Sequence, residues 1–182
     1  MNLDKVPLCV DLDGTLLFDD LLKISTRKLL REKPLQFVVL LRWLFCGKAL
    51  FKKHVADQVK VDVECLPYNN GLLAWVREER ENGRHVVLCT GSNTKYAHSV
   101  AEYLRCFDEV LASDDRKNLI GEVKAAELCS RYGKKKYDYV GNSFRDIPAW
   151  RYARKVILVS NNQKLIQRVK DEFPEMYLFG SK

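Results

Sequence analysis

Two aspartates one residue apart, Asp11 and Asp13, close an apolar run in Val10-Asp11-Leu12-Asp13-Gly14-Thr15-Leu16. Such a pair can divide the work, one carboxylate attacking an electrophile while the other moves a proton. If a strand runs through both, they share a face and project beyond its carboxyl end, with Gly14 allowing a sharp exit. A second run ends in Leu88-Cys89-Thr90-Gly91-Ser92. There the Thr90 hydroxyl and the Gly91 and Ser92 N–H groups, at a predicted helix start, suit an anion. Taken alone this is equally a helix cap, made by Ser92 or Asn93. Lys124 falls near another helix start, where the dipole disfavours a cation and solvent exposure is the plain explanation. Last comes Tyr139-Val140-Gly141-Asn142-Ser143-Phe144-Arg145-Asp146, an apolar run and a polar loop. The oxygens of Asn142 and Asp146 suit a hard cation such as Mg²⁺.

The elements that must position these residues alternate along the chain. Residues 6–12, 84–89, 109–112, 137–140, 155–159 and 176–179 are short apolar runs, β-branched or aromatic, bounded by turn residues, and predict strands. Residues 70–82, 93–104, 122–132, 146–154 and 163–172 carry helical spacing, with Gly83 and Gly133 where helix C-caps belong. This alternation predicts an α/β fold, a Rossmann-like three-layer core with a parallel sheet whose ligands bind at the carboxyl ends of the strands. Between Asp19 and Leu66 the rhythm breaks: only helical patterning is present, interrupted at Pro34 and Gly47. We expect two to four short helices inserted after the first strand as a small cap (residues 19–66), with residues 1–18 and 67–182 forming the core domain.

The chain has 182 residues with 47% hydrophobic and 30% charged, which excludes wholesale disorder and a multi-span membrane protein. A formal charge of +7 favours anionic ligands or surfaces. The six cysteines include no C-x-x-C pair, and no signal peptide is read at the N-terminus, so buried free thiols and a reduced, cytoplasmic setting are expected. His54, His85 and His98 lack metal-ligand spacing, Ser92 lacks a His/Asp system, and Lys134-Lys135-Lys136 is too short to argue for specific nucleic-acid binding.

Asp11-Leu12-Asp13-Gly14-Thr15-Leu16, then Thr90, Lys124 and the acidic loop at 142–146, resemble in order the motifs of the haloacid dehalogenase (HAD) superfamily. The insert matches the position of that superfamily's C1-type cap. The resemblance implies an Mg²⁺-dependent phosphatase: Asp11 the nucleophile forming an aspartyl phosphate, Asp13 the acid/base, and Thr90, Gly91, Ser92 and Lys124 binding the phosphoryl group. It implies Mg²⁺ on Asp11, the main-chain carbonyl of Asp13, Asn142 and Asp146. The chain departs from the pattern at Asn142, often Asp, which removes a negative charge from the cation site. A non-catalytic phosphate-binding or regulatory module and a phosphotransferase or phosphomutase are the alternatives.

The stretches Leu66-Pro67-Tyr68-Asn69, Leu73 to Arg80, Phe107 to Asp114 and Asp138 to Ser143 also resemble the HAD domains fused to UbiA-family polyprenyltransferases. That likeness implies a small phosphometabolite or lipid-linked phosphate as substrate. It also implies a prenyltransferase partner and a place at the inner face of the membrane, for a stand-alone relative or a domain of a longer protein. Residues 35–45 (LQFVVLLRWLF) are the most apolar stretch, too short to span a bilayer and flanked by Arg31, Lys33, Lys48, Lys52 and Lys53. They are expected to pack within the cap or to touch an anionic surface. If they touch lipid, the protein co-sediments with anionic vesicles at low salt and releases as salt screens the attraction. No binding at low salt would remove the surface role.

Overall fold

The structure is a computed structural model that describes residues 5–45 and 47–180. Six parallel strands form one sheet in the order β3-β2-β1-β4-β5-β6. They are β1 (Leu8–Val10), β2 (Val86–Asn93), β3 (Glu109–Ser113), β4 (Asp138–Gly141), β5 (Val156–Leu158) and β6 (Tyr177–Leu178). All six predicted strands are present. Around them lie α4 (Asn70–Glu81), α5 (Thr94–Leu104), α6 (Gly121–Tyr132), α7 (Ile147–Tyr152) and α8 (Gln163–Glu172).

Two-residue periodicity explains the layering. Leu8 and Val10 of β1, with Val86 and Leu88 of β2, pack in one core with Leu72 and Val76 of α4 and Val100 of α5. The intervening Cys9, Val87 and Cys89 face the opposite core, with Leu128 of α6, Trp150 of α7 and Leu165 of α8. Covered on both faces, the strands read as continuous apolar runs rather than alternating ones. The chain moves outward from β1 through β2 to β3, then returns to the other side of β1 as β4. The crevice at the carboxyl ends of β1 and β4 is therefore the topological switch point, where ligands of such sheets bind.

β1 is shorter than predicted. It stops at Val10, and the Leu12 carbonyl accepts N–H bonds from Thr15 and Leu17, which turns the chain immediately. Asp11 still continues the ladder through its N–H on the Val140 carbonyl, but Asp13 lies in the turn. The two carboxylates therefore reach the crevice from different backbone directions, not from one strand face. β2 is longer than predicted, running to Asn93, and α7 is shorter, preceded by a 3₁₀ turn over Phe144–Asp146.

Between β1 and α4 the described residues form α1 (Leu21–Glu32), a 3₁₀ turn at Pro34–Gln36, α2 (Phe37–Phe45) and α3 (Lys48–Gln58). Asp20 caps α1 by accepting the Leu22 and Lys23 N–H groups, and Pro34 breaks the helical run just beyond its end. Leu29, Leu40, Val55 and Val59 form a small separate core in this segment, and Trp43 stacks on His54 at 4.7 Å. The packing is one-sided: Leu41 is 45% exposed and Phe45 90% exposed, while the side chain of Phe37 lies outside the described residues. No helix among the described residues is long and apolar enough to cross a membrane. Cys9, Cys89 and Cys106 are buried free thiols as expected, but Cys65 is exposed, since it sits in the loop leading to α4; Cys46 lies outside the described residues.

At the opposite end of the sheet from the crevice, Asp138 opens β4 and is 1% exposed. Its carboxylate accepts bonds from Arg154 (2.9 and 2.8 Å), the Lys155 N–H (3.1 Å) and the largely buried Arg84 guanidinium. Asp138→Ala leaves Arg84 without this anion. The expected cost is about 3 kcal/mol of unfolding free energy, read by urea denaturation. A loss below about 1 kcal/mol would show that solvent replaces the carboxylate.

Candidate active site

The centre is built around one buried ammonium. Lys124 lies in the first turn of α6, yet it is 4% exposed rather than solvated. Its Nζ donates to Asp11 Oδ1 at 2.7 Å and to the Tyr139 hydroxyl at 2.7 Å, and lies 3.6 Å from Asp146 Oδ1. This explains a cation at a helix start, where the dipole opposes it: the carboxylates at the ends of β1 and β4 outweigh the dipole. They also hold the Lys124 pKa above its ordinary value in spite of burial.

Asp11 is buried, and its Oδ2 receives the Thr15 hydroxyl at 3.3 Å. Burial raises its pKa from 3.8 to about 7; Lys124 opposes the rise, while Asp146 and Asp13 add to it. Asp13 is also raised, chiefly by burial, while hydrogen bonds from Ser92, Leu21 and Thr90 pull it down. Its Oδ2 accepts Ser92 Oγ at 2.6 Å and Thr90 Oγ1 at 3.2 Å, and its Oδ1 accepts the Leu21 N–H at 2.8 Å. The first residue of α1 thus helps to fix the Asp13 side chain.

Thr90 and Ser92 do not stand as the sequence suggests. Thr90 is fully buried, its hydroxyl directed at Asp13 and accepting the Ser92 N–H at 2.9 Å. Because β2 continues to Asn93, that residue rather than Ser92 caps α5, and the Gly91 and Ser92 amides do not open the helix. Gly91 and Ser92 line the crevice; Thr90 buttresses Asp13 from behind.

Asp146 likewise turns inward. Its Oδ2 accepts the Asn142 N–H (3.1 Å), the Ser143 N–H (3.0 Å) and Ser143 Oγ (2.9 Å), and its Oδ1 accepts Tyr139 Oη at 2.8 Å. With both oxygens engaged, Asp146 shapes the loop and is not an open cation ligand in this arrangement. Asn142 does face the crevice, pressed over Gly14: a Cβ on Gly14 would lie 2.1 Å from Asn142 Nδ2, and Gly14 has φ +76°. Only glycine fits there.

The crevice, about 520 Å³, has Asp11, Asp13, Lys124 and Asn142 on its floor and Phe51 and Lys52 of α3 on its wall. Lys52 Nζ donates to the Gly91 carbonyl at 2.5 Å and to Asn118 Oδ1 at 2.9 Å, tying the helical insert to the sheet. Neither Lys52 nor Tyr139 is marked for the site by the sequence: no spacing separates Lys52 from the other basic flanks of the apolar stretch, and Tyr139 is signalled only as a tyrosine inside an apolar strand. Among the described residues no three His, Cys, Asp or Glu side chains are grouped as a metal centre. The side chains of the floor able to ligate a cation, Asp11, Asp13 and Asn142, offer oxygen atoms. That set fits a hard cation which keeps several waters, such as Mg²⁺.

A parallel sheet with a carboxylate pair and a buried lysine at its switch point defines an α/β protein of the Rossmann-like class. The chain belongs to the haloacid dehalogenase-like hydrolase family, whose model matches residues 8–151. An uncharacterized Sinorhizobium fredii protein, y4nM, is 28% identical over 167 residues; the match takes in 92% of this chain and 32% of that protein's length. Among solved structures, a Bordetella pertussis protein of unknown function aligns with TM-score 0.69 at 13% identity, over 96% of this chain and 98% of that one. A substrate-bound phosphoserine phosphatase aligns with TM-score 0.61 at 14% identity, over 93% of this chain and 98% of that one. At these identities the structural likeness is one of fold.

The raised Asp11 pKa has a sign in stability. Between the unfolded value near 3.8 and the folded value of about 7, the folded chain holds a proton that the unfolded chain has lost. The contribution is therefore present at low pH and disappears as pH rises through about 7. Asp11→Asn cannot ionise. In chelator, the melting temperature of the wild type is expected to fall relative to this variant between about pH 4 and pH 8. Parallel pH profiles would show that Asp11 does not titrate in that range.

Proposed function

We propose that the protein is a phosphomonoester hydrolase working through an aspartyl phosphate. The observation that carries this reading is Asp11, a buried carboxylate clasped by Lys124 on the floor of a crevice of about 520 Å³, with Asp13 held separately beside it. In the first step an Asp11 oxygen attacks phosphorus and the bond to the leaving alkoxide breaks. Asp13, held at the crevice by Ser92, Thr90 and the Leu21 N–H, is placed to donate a proton to that departing oxygen. Asp13, then ionised, takes a proton from water as the water attacks phosphorus and frees Asp11. Lys124 lines the crevice, where its ammonium would hold a phosphoryl oxygen through both steps.

Asp11, the Asp13 main-chain carbonyl and Asn142 would hold Mg²⁺, with Asp146 acting through the loop it braces. Mg²⁺ there would neutralise charge between the carboxylate and the phosphate it must approach. The helical insert serves as a cap over the crevice, and Phe18, 68% exposed at the rim, stands where the alcohol part of the substrate would leave. We take that alcohol to be a small metabolite or a lipid-linked one. The outward Leu41 and Phe45, beside Arg42, are the face of the insert suited to an anionic bilayer or to a prenyltransferase there.

A panel of phosphomonoesters, lipid-linked phosphates included, tests the reading. Turnover should require Mg²⁺, stop in chelator and resume on re-addition. Asp11→Asn should lower kcat by several orders of magnitude while the protein stays folded. Near-normal hydrolysis by purified Asp11→Asn, or full activity in excess chelator, would sink the mechanism.

A further inference from the structure

Tyr139 is an uncharged side chain in direct contact with the buried Lys124 ammonium, and the proposal here rests on the hydrolase reading above. It occupies β4 with no exposure, its ring edge-on to Trp150 at a centroid separation of 6.4 Å. The directions of its hydrogen bonds follow from chemistry. An ammonium cannot accept, so the Tyr139 oxygen accepts from Lys124 at 2.7 Å. The phenol's own hydrogen then goes to Asp146 Oδ1 at 2.8 Å. Tyr139 Oη thus lies between a cation and an anion that otherwise approach only to 3.6 Å.

This interposition has a consequence for Lys124. Without it, nothing would hold the ammonium 3.6 Å from Asp146, and direct contact with that carboxylate would compete with the contact to Asp11. With the phenol satisfying Asp146 Oδ1, and backbone and Ser143 donors satisfying Oδ2, Lys124 is held in direct contact with Asp11 at 2.7 Å. Two of its three protons are committed, to Asp11 and Tyr139, and one remains for a ligand in the crevice. The same phenol ties Lys124 to the loop carrying Asn142, because Asp146 is that loop's brace.

We propose that Tyr139 is a positioning residue which, by separating Lys124 from Asp146, directs the ammonium to Asp11 and keeps one of its protons free for the phosphoryl group. Lys124 contacts the reacting atoms on this view, and Tyr139 acts only through it. Tyr139→Phe is the discriminating variant, since it keeps the ring against Trp150 and removes only the oxygen. The first readout does not depend on turnover. In protein labelled with ¹⁵N-lysine, the buried Lys124 ammonium should give a protected NMR signal, identified by its loss in Lys124→Met. In Tyr139→Phe that signal should shift and exchange faster with water.

The second readout is kinetic, on whichever phosphomonoester the panel yields. A misplaced ammonium should lower kcat about tenfold to a hundredfold with KM changed less than about threefold, measured well below the melting temperatures of both proteins. An unperturbed Lys124 signal in Tyr139→Phe, or no protected signal in the wild type, would overturn the proposal. So would a full kcat, or a loss that merely tracks a fallen melting temperature. If the signal moves as expected while the wild type hydrolyses no phosphomonoester, the hydrolase reading fails and the placement of Lys124 by Tyr139 stands.

Discussion

A single desolvated ammonium organises this protein. Burying a lysine costs several kcal/mol unless anions meet it at close range. Lys124 is met by Asp11 from the end of β1 and by Tyr139 and Asp146 from β4 and the loop beyond it. Those partners are far apart in sequence, and they converge only because β4 returns to pair with β1 instead of extending the far edge of the sheet. The pairing Val10 to Val140 sets the level at which Asp11 and Asn142 emerge. Lys124 reaches them from the first turn of α6, across the sheet face that α6 covers.

Close packing sets the rest of the floor. The loop after β4 folds its own carboxylate, Asp146, back against Gly141, where a Cβ would lie 2.7 Å from Asp146 Cγ. That contact lets one side chain satisfy two backbone N–H groups and a hydroxyl, which makes the loop rigid without help from outside. Gly14 plays the matching part on the other side, giving room for the Asn142 amide. A neutral amide at that position brings no negative charge to the crevice floor.

The helical insert has two chemically different sides. Toward the crevice it sends Lys52, whose ammonium bridges the Gly91 carbonyl and Asn118, and the Leu21 amide, which holds Asp13. Burial lowers the Lys52 pKa, with Asp13 and Asp20 opposing that and the cations Arg145 and Lys124 adding to it. Away from the crevice it presents the half-exposed Leu41 and the largely exposed Phe45. The insert therefore links the Asp13 side chain, through the Leu21 amide, to a segment with an apolar outer surface.

The sequence by itself determined the alternating strands and helices, the helical segment after β1, and the identity of Asp11, Asp13, Lys124 and the 142–146 loop as a group. Local physics suffices for the elements, since strands buried on both faces need apolar runs and helix ends need caps, whereas the group is joined only by the resemblance of its order to the HAD motifs. Only the tertiary structure decided what each group does. The turn closed on the Leu12 carbonyl took Asp13 off the strand face, and the extension of β2 moved the helix start past Ser92. Thr90 and Asp146 then spent their polar atoms on neighbours instead of on the crevice. Tyr139 and Lys52 became part of the site through contacts 15 and 39 residues away in sequence. No local pattern encodes such contacts, because burial and hydrogen-bond satisfaction are properties of the packed chain.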